Sequence, residues 1–359
     1  MSSARQLRVV IAAGGTGGHI LPGLAVAREL QSRGAEVVFV GTERGLEKRL
    51  VPEAGFPLEL VSSGPLKSVG LLTRLKSMIA VPMGTMQARK LLRGLRTNVV
   101  LGVGGYASGP VLLAAKSLGV PTMLLEPNAA PGMANRSAAK WVQAAAINFP
   151  EARKFFSNAE ITGIPVRPEF LNIPPHSGPP HLLVFGGSQG ARVLNHRMPE
   201  IARALIDAVP GLTILHQTGI IHERSTQMLY AQRNMKSERV RVRAFVDDMA
   251  AQFQQASLVL CRSGASTVAE LAAAGRPALL VPFPAATDDH QLMNARSFAK
   301  AGAALLMEER YVSSPLLLET LTEMLSDPAR LTTMGEAART QAHPEAAKKI
   351  ADMLEKIAG

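Results

Sequence analysis

Along the chain, short apolar runs rich in β-branched residues alternate with longer stretches whose apolar positions repeat at helical spacing. In the first half, Leu7–Ala13, Val37–Val40, Val99–Val103, Pro121–Leu125, Val142–Ile147 and Ile161–Thr162 read as strands. In the second half, His181–Phe185, Thr213–Gln217, Val240–Val246, Leu258–Cys261, Ala278–Val281 and Ala303–Met307 do. Such alternation predicts parallel βαβ units. Between the halves, prolines at 165, 168, 174, 175, 179 and 180 can continue neither a helix nor a central strand, so Pro165–Pro180 reads as a linker.

The two halves repeat one design. Residues 7–19 read LRVVIAAGGTGGH and residues 181–192 read HLLVFGGSQGAR: an apolar strand, a glycine-rich turn, then a helix starting at Leu24 or near Ala191. A chain of 359 residues also exceeds what one core usually holds. The expected fold class is therefore α/β, with two Rossmann-like lobes, 1–165 and 166–342, whose parallel sheets face each other across a cleft. The segment from about 343 to 359 is helical in pattern, which leaves it able to pack back on the first lobe.

Four clusters carry candidate chemistry. Gly186, Gly187, Ser188, Gln189 and Gly190 close a strand and open a helix, where backbone N–H groups and the helix dipole favour a phosphate. Such a turn can equally be a plain connection; its repeat at Gly14-Gly15-Thr16-Gly17-Gly18-His19 strengthens the first reading. Neither turn is a Walker loop, and Val40-Gly41-Thr42 supplies no acid for a dinucleotide fingerprint. In Cys261–Glu270 a strand ends, Gly264 turns the chain, and Glu270 stands where a carboxylate can hold two ribose hydroxyls or serve the helix dipole. Asp288–Ala295 is a polar helix entry suited to sugar hydroxyls or to plain capping. There is no D-x-D and the acidic pairs Asp247-Asp248 and Asp288-Asp289 read as caps, so no metal is expected and backbone N–H groups with Arg167, Arg192 or Arg262 must neutralise a diphosphate.

Charge changes this picture in one place. The formal net charge is +11, and residues 60–125 contain no acid while holding Lys67, Arg74, Lys76, Arg89, Lys90, Arg93, Arg96 and Lys116. Leu75, Ile79 and Met83 share that window, which suggests a surface docked on anionic lipid or a core helix with a solvated basic face. Nucleic acid fits less well, because Tyr106 is the window's only aromatic for stacking. Cys261 is the single cysteine, no apolar run reaches the roughly 20 residues of a membrane span, and the N-terminus has no secretory pattern, so the chain is expected in the cytoplasm.

Taken together, GGTGGH, GVGGYASGP (102–110), Asn128, TGIPVR (162–167), GGSQGAR (186–192), FVDDM (245–249), CRSGASTVAE (261–270) and HQLMNA (290–295) resemble the MurG family. The resemblance runs in order over nearly the whole chain. It implies a GT-B type enzyme that transfers N-acetylglucosamine from UDP-N-acetylglucosamine to the C4 hydroxyl of the muramyl sugar of undecaprenyl-diphosphate-MurNAc-pentapeptide (lipid I), with inversion and without a cofactor. The second lobe would bind the donor and the first would hold the acceptor at the cytoplasmic face of the plasma membrane. Cell-wall synthesis and division proteins are partners such a role allows. By resemblance, backbone at Val246 meets the uracil, Glu270 the ribose, and Ser188 and Arg167 the diphosphate. Asn128, Ala265 and Gln291, with Ser266, Thr267, Val268 and Ala269 beside them, position the sugar. Thr16, Gly17 and Gly18 line the facing loop, and His19 is the candidate base. The membrane patch comprises Lys67, Leu75, Lys76, Ile79, Met83, Arg89 and Arg93. Where the family usually has His-Glu-Gln-Asn, this chain has Leu125-Glu126-Pro127-Asn128, and the loop before His290 is one residue longer than in some relatives. A non-hydrolysing UDP-N-acetylglucosamine 2-epimerase, a natural-product glycosyltransferase and a nucleotide-sugar or RNA-binding module are the rival readings.

Overall fold

The computed structural model describes residues 6–15, 17–43, 45–64, 71–235 and 238–359, with the backbone alone for 71–79. The chain forms two compact units, residues 1–165 with 343–359, and residues 166–342.

The first unit runs β1 (Arg8–Ala13), α1 (Gly17–Ser32), β2 (Glu36–Gly41), α2 (Glu47–Glu53), β3 (Leu58–Leu60), α3 (Leu71–Gly94), β4 (Val99–Gly104), α4 (Ser108–Leu118), β5 (Thr122–Glu126), α5 (Met133–Ala138), β6 (Ala144–Ile147) and β7 (Ala159–Ile161). The second runs β8 (His181–Phe185), α6 (Arg192–Ala208), β9 (Thr213–Gln217), α7 (Glu223–Gln232), β10 (Val240–Arg243), α8 (Met249–Gln255), β11 (Leu258–Cys261), α9 (Ala265–Ala274), β12 (Ala278–Leu280), α10 (His290–Lys300), β13 (Ala304–Leu306), α11 (Ser314–Leu325) and α12 (Pro328–Thr340). A last helix, α13 (Ala346–Ala358), belongs to the first unit. Arg33 at the end of α1 holds it there, reaching Asp352 at 2.6 Å and Glu355 at 2.9 Å.

Every strand pair is parallel, in the order β3-β2-β1-β4-β5-β6-β7 in one unit and β10-β9-β8-β11-β12-β13 in the other. Helices cover both faces, so the central strands are apolar throughout: β1 is buried from Val9 to Ala13 and β11 along its whole length. Val10, Val100, Leu112, Leu124 and Ile147 anchor one core, and Leu182, Val184, Leu194, Leu260 and Leu321 the other. Among the described residues, no helix is long and apolar enough to cross a membrane.

Five local expectations change. Helix α1 begins at Gly17, seven residues before Leu24, because a first turn leaves its N–H groups unpaired and so tolerates glycine. Short β3 was not expected, since Leu58–Leu60 is a partly exposed edge without an apolar run. The edge strand β10 stops at Arg243 rather than Val246, and β7 lies at Ala159–Ile161 rather than Ile161–Thr162. Finally, residues after Pro165 do not hang free. Phe170 is fully buried and meets Phe253 edge-on at 5.1 Å, while the buried Arg276 donates to the Pro174 carbonyl at 2.7 Å.

Phe170 therefore seats the start of the second unit. Phe170→Ala should lower that unit's stability by about 3–5 kcal/mol in denaturant unfolding, the cost of a large aromatic cavity. A loss below about 1 kcal/mol would return this segment to the role of a loose tether.

Candidate active site

In a parallel sheet all C-terminal strand ends share one edge, and where the strand order reverses, neighbouring connections leave in opposite directions and open a crevice. The reversal lies between β1 and β4 in the first unit and between β8 and β11 in the second. The two glycine-rich turns follow β1 and β8. Both therefore occupy their own sheet's switch point.

In the first unit Gly17, Gly18 and His19 form the opening turn of α1. His19 lies against the end of β4: a Cβ on Gly104, whose φ is +116°, would be 2.9 Å from His19 Cδ2, so only glycine lets the ring approach. The Ser108 hydroxyl clamps the same corner, donating to Ala12 O at 2.7 Å and accepting from Gly104 N at 2.9 Å. Asn128 follows β5, the next strand over. Its backbone N–H donates to the Glu126 carboxylate at 2.9 Å and its side-chain amide at 3.3 Å. Glu126 also accepts from Asn135 Nδ2 at 2.9 Å and Gly132 N at 3.3 Å, although it is almost wholly buried. Burial pushes this carboxyl up to about 7 against the pull of those hydrogen bonds. Thr16 lies outside the described residues.

In the second unit the Gly186–Gly190 turn is folded tightly, with Gly190 N donating to Gly187 O at 2.9 Å. A Cβ on Gly190 would run into the Thr218 carbonyl. Ser188 and Gln189 are exposed at the tip, and α6 starts at Arg192 with no capping side chain, which leaves its first N–H groups for a ligand anion. A buried chain of polar groups that the sequence did not point to supports the turn. Asn195 donates to the Thr218 carbonyl at 2.9 Å, His216 joins Asn195 at 3.1 Å, and Tyr230 joins His216 at 3.0 Å. Burial pushes His216 down to about 3, so it stays neutral.

Across the switch point, α9 begins at Ala265 after Gly264, again without a side-chain cap. Ala265 and Val268 are buried, Thr267 and Ala269 half-buried, and the Ser266 hydroxyl is buried without a partner among the described residues. Glu270 is paired with Arg167 at 3.1 Å, and the Arg167 guanidinium stacks 4.6 Å above the Phe170 ring. Burial pushes the Glu270 carboxyl up, and Arg167 opposes it. Two expected diphosphate and ribose ligands thus hold each other here. Gln291 accepts from Phe283 N at 3.0 Å, and its carbonyl takes the Ser263 hydroxyl at 2.8 Å. Val246 lies just past the end of β10, half-buried.

Other candidates resolve differently. Arg262 is not available to a diphosphate: its guanidinium donates to the carbonyls of Val281 and Pro282 and pairs with Glu309 at 2.5 Å. Asp248 does cap α8, accepting from Ala251 N at 3.0 Å. Asp289 does not cap α10; it and Asp288 adopt left-handed backbone, with φ of 52° and 54°, a strained entry to His290. In the basic window, Met83 and Met86 are exposed on α3, and Arg93 is exposed, while Arg89 donates to Ser117 Oγ at 2.6 Å. Lys67 lies outside the described residues, and of Leu75, Lys76 and Ile79 only the helical backbone is described.

Residues 9–147 match the glycosyltransferase family 28 N-terminal domain, and residues 181–350 match the glycosyltransferase family 28 C-terminal domain. The UDP-N-acetylglucosamine--N-acetylmuramyl-(pentapeptide) pyrophosphoryl-undecaprenol N-acetylglucosamine transferase of Anaeromyxobacter sp. (strain Fw109-5) is 44% identical over 359 residues, covering 98% of this chain and 93% of its own. Its namesake from Myxococcus xanthus is 44% identical over 356 residues, covering 97% and 92%. Among solved structures, Acinetobacter baumannii MurG superposes with a TM-score of 0.83 at 33% identity, covering 98% of this chain and 99% of that one.

The buried Glu126 gives a pH signature. Its folded-state value lies above that of the unfolded chain, so the folded state keeps the proton longer and stability falls as pH rises through the window up to about 7. Relative to Glu126→Gln, which does not titrate, wild-type stability should fall by at most about 3 kcal/mol between about pH 4 and pH 8, at ~1.4 kcal/mol per unit. A pH-independent difference between the two unfolding curves would show that the carboxyl is not perturbed.

Proposed function

The chain belongs to the MurG family within glycosyltransferase family 28, and we propose that it transfers N-acetylglucosamine from UDP-N-acetylglucosamine to the lipid-linked N-acetylmuramyl-(pentapeptide) acceptor, lipid I. The observation that carries this reading is the full-length likeness to transferases named for that reaction. The product is the lipid-linked disaccharide precursor of peptidoglycan.

The second unit takes the donor. Ser188 and the opening N–H groups of α6 receive the diphosphate, backbone at Val246 the uracil, and Ala265–Ala269 with Gln291 the sugar. Glu270 exchanges Arg167 for the two ribose hydroxyls, which releases Arg167 to the diphosphate; an acceptor-only carboxylate and a donor-only guanidinium each find the complementary partner. The first unit takes the acceptor, with Thr16, Gly17 and Gly18 in its loop, and Asn128 helps position the transferred sugar.

The chemistry is one in-line displacement. The acceptor's C4 oxygen forms a bond to the anomeric carbon while the bond from that carbon to the UDP oxygen breaks, its electron pair leaving with UDP, so configuration inverts. His19 accepts the hydroxyl proton; a neutral imidazole suits this at near-neutral pH. Helix N–H groups and Arg167 meet the charge that develops on the diphosphate.

An epimerase and a natural-product glycosyltransferase share the fold but not the acceptor. With UDP-N-acetylglucosamine and a lipid I analogue, UDP release should depend on the analogue, and His19→Ala should lower kcat at least about tenfold. Acceptor-free epimerisation would overturn the transfer reading, and a smaller loss in kcat would remove His19 as base.

The enzyme docks peripherally on the cytoplasmic face of the plasma membrane, where lipid I and partner proteins of wall synthesis and division are found. Exposed Met83, Met86 and Arg93 on α3, in an acid-free window, support this. Replacing Lys76, Arg89 and Arg93 by Glu should release the protein from anionic vesicles, and salt should do so progressively. Unchanged vesicle binding by that variant would sink the assignment.

A further inference from the structure

Glu47 lies in the first turn of α2, outside every motif of the site, and is fully buried. One carboxylate oxygen accepts from Thr42 N at 2.8 Å and Thr42 Oγ1 at 2.9 Å. The other accepts from Gly15 N at 3.0 Å. The peptide of Gly15 is gripped a second time, because its carbonyl accepts from Leu46 N at 3.3 Å. Space for the carboxylate is made by three glycines: a Cβ on Gly14 would be 3.0 Å from Glu47 Oε1, and one on Gly41 or Gly45 would overlap the side chain. A buried carboxyl group enclosed in this way and hydrogen-bonded on both oxygens has one geometry open to it. It joins the end of β2 to the turn after β1.

We infer that Glu47 is a positioning residue for the reaction: it fixes Gly15, and through it the Gly17, Gly18 and His19 turn, in the place where the acceptor hydroxyl is deprotonated. The inference rests on the transfer reading above. Glu47 faces the loop's backbone and contacts no reacting atom. Its effect is geometric, and misplacement of a catalytic group by about 1 Å is enough to cost on the order of 100-fold in rate. An amide in its place presents N–H donors to the N–H groups of Gly15 or Thr42, so Glu47→Gln is the sharp substitution.

Three measurements on the full-length protein decide the matter. With a lipid I analogue, Glu47→Gln should lower kcat about 10- to 100-fold while KM for UDP-N-acetylglucosamine stays within about twofold. Residue-resolved hydrogen exchange should show Gly15 N–H exchanging at least about tenfold faster, with Val10 and Ile11 in β1 unchanged. Thr42→Val, which removes one donor and keeps the carboxylate, should give a smaller loss of about threefold that Thr42→Ser restores. It also supplies the answer if the Gln variant does not fold. Wild-type kcat in Glu47→Gln, a donor KM that rises in step with the loss, unaltered exchange at Gly15, or faster exchange along all of β1 would each overturn the assignment. A wild-type protein that releases no UDP in the presence of the analogue would overturn the transfer reading instead; exchange at Gly15 would still decide what Glu47 holds.

Discussion

The site depends on one topological constraint, which each unit meets separately. A parallel sheet whose strand order runs outward in both directions from a central pair must send the connections after that pair to opposite faces. A crevice opens between them at the C-terminal edge. Here the central pairs are β1–β4 and β8–β11. Helices α1 and α6 leave one side of each crevice, and the Gly104–Ser108 corner and α9 leave the other. The candidate residues of Gly17–His19, Gly186–Gly190 and Ala265–Glu270 stand on these connections, while Asn128, Arg167, Val246 and Gln291 stand elsewhere. Apolar strands buried on both faces make the edge rigid enough to hold them.

Rigidity at that edge comes from close backbone approach. Gly104 lets His19 lie on the strand end, and Gly190 nests under the Thr218 carbonyl. Glycine alone would make such loops floppy, so buried polar groups hold them. Ser108 ties β1 to β4, Asn195, His216 and Tyr230 support the Thr218 turn, and Glu47 and Glu126 collect N–H groups from segments that would otherwise have no partner. In a water-poor interior each such hydrogen bond is strong, and leaving one unmade is costly.

Electrostatics divides the carboxylates by task. Glu126 and Glu47 face backbone donors inside the first unit and stay there. Glu270 faces another side chain, Arg167, and an ion pair of that kind can be exchanged for ligand groups of the same hydrogen-bonding character. Burial raises the Glu270 carboxyl and Arg167 restrains it, so losing that partner without gaining a ligand would leave an uncompensated charge. Arg167 in turn is seated by Phe170, which couples the first residues of the second unit to Glu270.

Alternating apolar runs and paired glycine turns were enough to establish two doubly wound units and to point at Gly14–His19, Gly186–Gly190 and Cys261–Glu270, because these are local, periodic signals carried by neighbouring residues. Family likeness then assigned roles along the chain. Contacts between residues far apart in sequence were not legible. Nothing local marks Arg262 as bound to the carbonyls of Val281 and Pro282, Asp289 as a left-handed turn rather than a cap, Phe170 as a core residue in a proline-rich stretch, or Glu47 as a partner of Gly15 thirty-two positions away. Whether a carboxylate is a solvated surface charge or a buried clamp depends on which distant backbone N–H groups folding brings to it. Residue order specifies those partners only through the packed fold, so the folded structure had to supply them.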